Sequence, residues 1–213
     1  MPFQTYWSSQ RFNLMRGDGG DSLFARVCTY ETLVVGGAFV ALSAASEPLV
    51  RIFADQRYAS AAALVPWIAA AYVVRTLAAQ FRTVFLVGGR PDLEARVVLV
   101  GAGVCLAGYA ALIPSLHLWG AVAATFMGFF AMLVYGFYEA QRLKRYPYEF
   151  RRLSAVGVAS LVCLLLSVST GFIAGPYAAA AVGIAAFPCV LAALGFLDPH
   201  EKALLTKAFR ALA

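Results

Sequence analysis

Six stretches of about 18 or more mostly apolar residues, separated by short charged connections, constrain this chain more than any other feature. They run from about Thr32 to Phe53, Ser60 to Val87, Val97 to Ile113, Gly120 to Tyr138, Leu153 to Ile173 and Tyr177 to Leu197. Each can cross the hydrocarbon of a bilayer, about 30 Å thick, as a helix that satisfies its own backbone polar groups. A water-soluble fold fails on surface chemistry. Hydrophobic residues make up 62% of the chain and charged residues 13%, whereas a soluble domain carries about 25% charged residues. The remaining charges are too few to cover a folded surface. The predicted fold class is all-α, a polytopic membrane helical bundle of about six transmembrane helices. Residues 1–30 read as a cytoplasmic segment, 31–197 as the six-helix lobe and 198–213 as a cytoplasmic amphipathic tail. No cleaved leader is expected, because Arg11, Arg16, Asp18, Asp21 and Arg26 interrupt the first 26 residues.

The net charge of +6 suggests a nucleic-acid partner only until the charges are located. They fall between the apolar runs, so they report topology, and the expected partner is membrane lipid with no nucleic acid. Lys and Arg number thirteen on one set of alternate connections and two on the other, with Arg75 and Arg82 left inside a span. The positive-inside rule then puts the N-terminus, the 139–152 connection and the C-terminus in the cytoplasm. The tail from Glu201 to Ala213 reads either as an amphipathic helix on the inner membrane surface or as a short solvated helix. Cys28, Cys105, Cys163 and Cys189 are widely spaced and read as small core residues. His117, in the short external connection, reads as an ordinary interfacial residue.

The second span differs chemically from the rest. On a helical wheel at about 100° per residue, Tyr72, Arg75, Thr76, Gln80, Arg82 and Thr83 share an arc of about 160° with Ala79. Arg75 lies 13 residues from Gly88, or roughly 20 Å at 1.5 Å per residue, too far for its side chain to snorkel. Bare hydrocarbon around it costs at least about 2.5–3.5 kcal/mol, so it should face a hydrated path, a counter-charge or an anionic substrate. Glu47 is the one intramembrane carboxylate available to it on this reading, and Glu47 has a second partner in Arg51 at i+4. Arg82 lies close enough to the cytoplasmic end to snorkel. Planar guanidinium donors match phosphate or carboxylate oxygens in pairs, which makes a lipid pyrophosphate a natural ligand. The candidate substrate-binding residues are therefore Tyr72, Arg75, Thr76, Gln80 and Arg82. Gly36, Gly37, Gly101, Gly103 and Gly108 suit close helix packing, and Pro188 is expected to bend the sixth span. Nothing in the sequence pairs a nucleophile with a base or forms a metal cluster or phosphate loop. An enzyme, a metal and a cofactor are not expected.

Three stretches carry a resemblance. The first is Pro48-Leu49-Val50-Arg51-Ile52-Phe53 followed by Tyr58-Ala59-Ser60-Ala61-Ala62. The second is the turn Gly88-Gly89-Arg90-Pro91. The third and most specific runs Leu112-Ile113-Pro114-Ser115-Leu116-His117-Leu118-Trp119-Gly120-Ala121-Val122-Ala123-Ala124-Thr125. In order and spacing they resemble the later part of the polysaccharide flippases, the oligosaccharide-lipid branch of the multidrug, oligosaccharide-lipid and polysaccharide exporter superfamily. The resemblance covers about residues 25–145. It implies a transporter of polyprenyl-pyrophosphate-linked oligosaccharide across the bacterial cytoplasmic (inner) membrane, for lipopolysaccharide or exopolysaccharide biosynthesis. It further implies two six-helix lobes around a cationic cavity, with alternating access by rocking of the lobes. This chain matches only the later of the two lobes and lacks the N-terminal one, so a separate second lobe or a homo-oligomer is the expected partner. The alternatives are a truncated or non-transporting membrane subunit of a polysaccharide assembly system, and a drug or metabolite exporter of the same superfamily. The exporter would need an acidic cation site, for which the sequence offers Glu47.

Overall fold

A computed structural model of the chain describes residues 20–143 and 149–196. Every regular element among them is helical: α1 (Gly20–Ala44), α2 (Ser46–Phe53), a 3-10 segment (Gln56–Ala63), α3 (Val65–Val87), α4 (Pro91–Leu116), α5 (Leu118–Leu143), α6 (Phe150–Ala174) and α7 (Pro176–Ala193). Six of these are long and apolar enough to cross a membrane. The chain is a multi-pass membrane protein with an all-α bundle fold. Arg11, Arg16, Lys144, Arg145, Leu197 and the tail from Glu201 to Ala213 lie outside the described residues.

Local chemistry sets the boundaries. Pro66, Pro91 and Pro176 sit in the first turns of α3, α4 and α7, where no intrahelical N–H is required. Gly89 adopts φ 67° and lets the Arg90 N–H return to the Phe85 carbonyl at 2.8 Å, a left-handed helix stop. The turn expected at Gly88–Pro91 is therefore present. Between α4 and α5 only His117 is non-helical, at φ 49°, and Pro114 belongs to the last turns of α4. This connection is shorter than the sequence suggests. Pro188 lies inside α7, which continues to Ala193.

Span boundaries differ from the expected ones, most consequentially in the first two spans. The first crossing, within α1, begins at Phe24, not Thr32, and ends at Ala44. Thr29 and Thr32 are no obstacle there, because both are buried and bond back to the Ala25 and Cys28 carbonyls. Ser46–Phe53 is a separate short helix with Glu47 bonded to Arg51 on its exposed face. The second crossing begins at Val65, since residues 56–63 form the 3-10 segment instead. Asp55 caps that segment by accepting the Arg57 N–H at 3.1 Å.

The helices adjoin in the order α4, α5, α3, α1, and α1 in turn packs on the α6–α7 pair. One core gathers Phe81, Val84 and Phe85 of α3 with Leu93 and Val97 of α4, Ala140 of α5 and Cys28 of α1. The other joins Val156 and Ala159 of α6 to Leu191 of α7 and to Phe196, with Leu33 of α1 against it. Leu99, Leu106, Leu165 and Phe172 point outward, as a lipid-facing surface requires. Trp67 and Trp119 meet edge to face, centroids 6.3 Å apart, at one end of the bundle. Arg90, Arg142 and Arg152 mark the other, basic end. There Glu149 accepts from Arg152 Nη1 at 3.2 Å and lies 2.9 Å from the Thr29 hydroxyl. The Arg152 guanidinium also covers the Phe196 ring at 4.5 Å, so α1, α6 and the end of α7 are clasped together.

Candidate functional site

Helix α3 positions every residue nominated from the sequence. Arg75 lies near its middle, ten residues from Val65 and twelve from Val87. Its side chain is on an exposed face. The guanidinium carbon stands 5.7 Å from the Tyr72 ring and 5.7 Å from the ring of Phe129 on α5. Those two rings meet edge to face at 5.9 Å. Such contacts orient a cation, each contributing about 0.5–1 kcal/mol at an exposed site, but they neutralise no charge. Among the described residues Arg75 has no carboxylate partner, and Glu47, the alternative raised by the sequence, is paired with Arg51 near the tryptophan end.

Not all of the other nominated residues share one face with it. Arg82 is ion-paired to Glu94 of α4 at 2.7 Å, which draws it toward the basic end. Tyr72 is 53% exposed, but Gln80 and Thr83 are only 9% and 6% exposed. Gln80 Nε2 donates to the Cys28 carbonyl at 3.3 Å and to the Thr32 hydroxyl at 3.4 Å, both on α1. Thr76 is half-buried and returns its hydroxyl to the Tyr72 carbonyl at 2.9 Å. The open stripe of α3 is thus Ile68, Tyr72, Arg75, Ala79 and Arg82. The polar arc read from the wheel is wider than that stripe, and α1 covers one edge of it.

One intramembrane carboxylate escaped the sequence reading. Glu31 lies inside the Phe24–Ala44 crossing, is exposed, and has the Gln80 amide beside it. Starting the first span at Thr32 placed Glu31 outside the membrane. The apolar pairs Phe24-Ala25 and Val27-Cys28 on its N-terminal side were the signal that would have found it.

Between α1 and α3 an apolar groove of about 280 Å³ opens toward the tryptophan end. Val35, Ala38 and Leu42 form one wall, and Ile68, Ala69 and Tyr72 the other. Tyr72 therefore borders both the groove and Arg75.

Fold and site together define a multi-pass helical membrane protein that displays an arginine at mid-crossing on an open helix face. No protein-family model matches the chain, and neither a curated protein nor a solved structure matches it.

Proposed function

We propose that this chain is one lobe of a flippase that moves a lipid-linked oligosaccharide across the bacterial cytoplasmic membrane for surface polysaccharide biosynthesis. The observation that carries the reading is Arg75: central in its crossing, exposed, held by two rings, and facing no carboxylate among the described residues. Left against hydrocarbon, such a group costs about 2.5–3.5 kcal/mol. A lipid pyrophosphate offers paired oxygens to its planar donors, and the interaction strengthens in a dry surrounding. The three motifs at 48–62, 88–91 and 112–125 support the same reading. The charge asymmetry of thirteen against two orients the basic end, with both termini, toward the cytoplasm. The open α3 stripe calls for a facing surface, which a second lobe or a second copy supplies. Substrate enters between the two, and rocking of one against the other exposes Arg75 to each side in turn.

The test is surface polysaccharide export in cells carrying Arg75→Ala or Arg75→Lys. Loss of a charge-assisted bond worth about 1.5–3 kcal/mol predicts at least about a tenfold fall for Ala, with Lys in between. Wild-type export at normal protein levels would count decisively against the reading.

A second reading, a drug or metabolite exporter of the same superfamily, draws on Glu31, which supplies the intramembrane acid that such an exporter needs. Under it, Glu31→Gln abolishes efflux of organic cations while Arg75→Ala leaves efflux intact.

A further inference from the structure

We propose that the chain is built as two tightly packed bodies, α3–α4–α5 and α1–α6–α7, hinged where Gln80 ties α3 to α1, and that the α1–α3 groove is the clearance through which the hinge closes. The motion lies within the chain, so it is separate from rocking against a partner and independent of what is transported. Close backbone approach holds each body together. In the first, Gly108 and Gly128 seat α4 and α5 against each other, and a Cβ on Gly136 of α5 would fall 3.1 Å from the Phe81 ring of α3. In the second, a Cβ on Gly36 of α1 would fall 2.6 Å from Val156 of α6, and one on Gly183 of α7 would fall 2.8 Å from the Ala44 Cβ of α1. The Ser167 hydroxyl of α6 also donates to the Ala179 carbonyl of α7 at 3.0 Å.

Between the bodies the contact is firm only toward the basic end. There Phe24 and Cys28 of α1 pack on Phe81, Val84 and Phe85 of α3, and Gln80 Nε2 donates to the Cys28 carbonyl and the Thr32 hydroxyl. Both flanks of this contact are open. Toward the tryptophan end lies the groove of about 280 Å³. Toward α6, a second cleft of about 330 Å³ separates Leu153 from Leu77 and Phe81 of α3 and from Leu133 and Phe137 of α5. Two close-packed bodies joined at one place, with space on either side, have the form of a hinge. Lipid supplies no hydrophobic push that would fix the width of the gap. Ile68 stands 12 residues from Gln80, roughly 18 Å at 1.5 Å per residue, so about 10° of rotation moves it by roughly 3 Å relative to α1. Closure bears on Tyr72, which lines the groove and lies 5.7 Å from the Arg75 guanidinium. The hinge thereby re-aims the cation.

The experiment reads separations between nitroxide pairs by dipolar EPR, on the full chain in lipid nanodiscs carrying Cys105→Ser and Cys189→Ser. Cys28 and Cys163 are buried and stay unlabelled. Labels at the exposed positions Leu42→Cys and Ile68→Cys span the seam between the bodies. Labels at Ile68→Cys and Met127→Cys stay within the first body, and those at Leu42→Cys and Ile184→Cys within the second. The spanning pair is expected to show two separations differing by about 3 Å or more, and each internal pair a single one. Filling the groove with Ala69→Phe, or with Ala38→Phe should the first variant misfold, is expected to leave only the longer separation. A single separation across the seam overturns the hinge, and so does spread in all three pairs, which would mean a loose bundle. Spread across the seam that ignores both filled grooves overturns the groove as the clearance. For the link to Arg75, fluorotyrosine incorporated at Tyr72 should give two fluorine resonances that reduce to one under Ala69→Phe. One resonance, unmoved by that variant, overturns the link and leaves the hinge.

Discussion

The α4–α5 seam and the α1–α3 seam are both largely apolar and reach opposite results. Along α4–α5 the backbones nearly touch. A Cβ on Gly128 would fall 2.7 Å from the Cys105 Cβ, and one on Gly108 would fall 2.8 Å from the Ala124 Cβ. Gly101 lies as closely under Met132, and Gly120 against the Leu112 carbonyl. Tyr109 and Thr125 then join the two helices by a 2.8 Å hydrogen bond. Along α1–α3 the contact is firm only toward the basic end, where Gln80 meets Cys28 and Thr32. Toward the tryptophan end it opens into the groove. Lipid gives no hydrophobic push between helices, so close approach has to hold them together. Helix α1 turns its glycines elsewhere: Gly36 lies against Val156 of α6 and Gly37 against Phe187 of α7. The opening beside α3 follows from that choice of face.

The strongest challenge to this contrast is a methyl group in the tight seam. Gly120→Ala would drive a Cβ into the Leu112 backbone, which cannot move as a side chain can. A loss of about 3 kcal/mol is expected, the upper end of ordinary overpacking, read as a lowered thermal midpoint in detergent. Gly103, in the same seam's α4, meets nothing within 4 Å. There Ala is expected to be neutral or to gain about 0.5–1 kcal/mol from helix propensity. Equal damage at both positions would remove close packing as the explanation.

On the open side the effect should appear in function and not in folding. Arg75 touches only two ring faces, so Arg75→Ala is expected to shift stability by no more than about 2 kcal/mol while export falls at least about tenfold. A variant that unfolds to the extent that it loses export would make Arg75 a packing residue. Between the two extremes stands Gln80→Leu, which removes the polar tie between α1 and α3. Its expected loss is about 1 kcal/mol, the usual scale for a hydrogen bond between membrane helices.

The bundle was legible in the sequence because length and hydropathy suffice to mark a crossing, and the Gly88–Pro91 stop is written in its residues. The pairing of faces was not. A wheel drawn for Tyr72 to Phe85 groups side chains by angle, yet it carries no information about which neighbour covers which angle. Gln80 and Thr83 therefore looked like companions of Arg75, whereas both are buried and Gln80 is tied to α1. Glu31 was hidden for a related reason. A polar residue beside Thr29 and Thr32 reads as the edge of a span, until packing shows that those threonines satisfy themselves within α1.

Arg82 provides the finest test, since it shares the open stripe with Arg75 but not its isolation. Its side chain is 61% exposed and its Glu94 partner 25%, and an ion pair that open contributes under about 1 kcal/mol. Arg82→Ala and Glu94→Ala should therefore each lower stability slightly and by the same amount. The exchange Arg82→Glu with Glu94→Arg should recover most of the loss, as measured by a double-mutant cycle of thermal midpoints. Export distinguishes the two arginines more sharply. If Glu94 holds Arg82 throughout, both single variants leave export near wild type while Arg75→Ala does not. If Arg82→Ala stops export and Glu94→Ala leaves it unchanged, Arg82 must leave Glu94 during the cycle. The α3 stripe would then carry two working cations, and the line drawn between Arg75 and its neighbour would have to go.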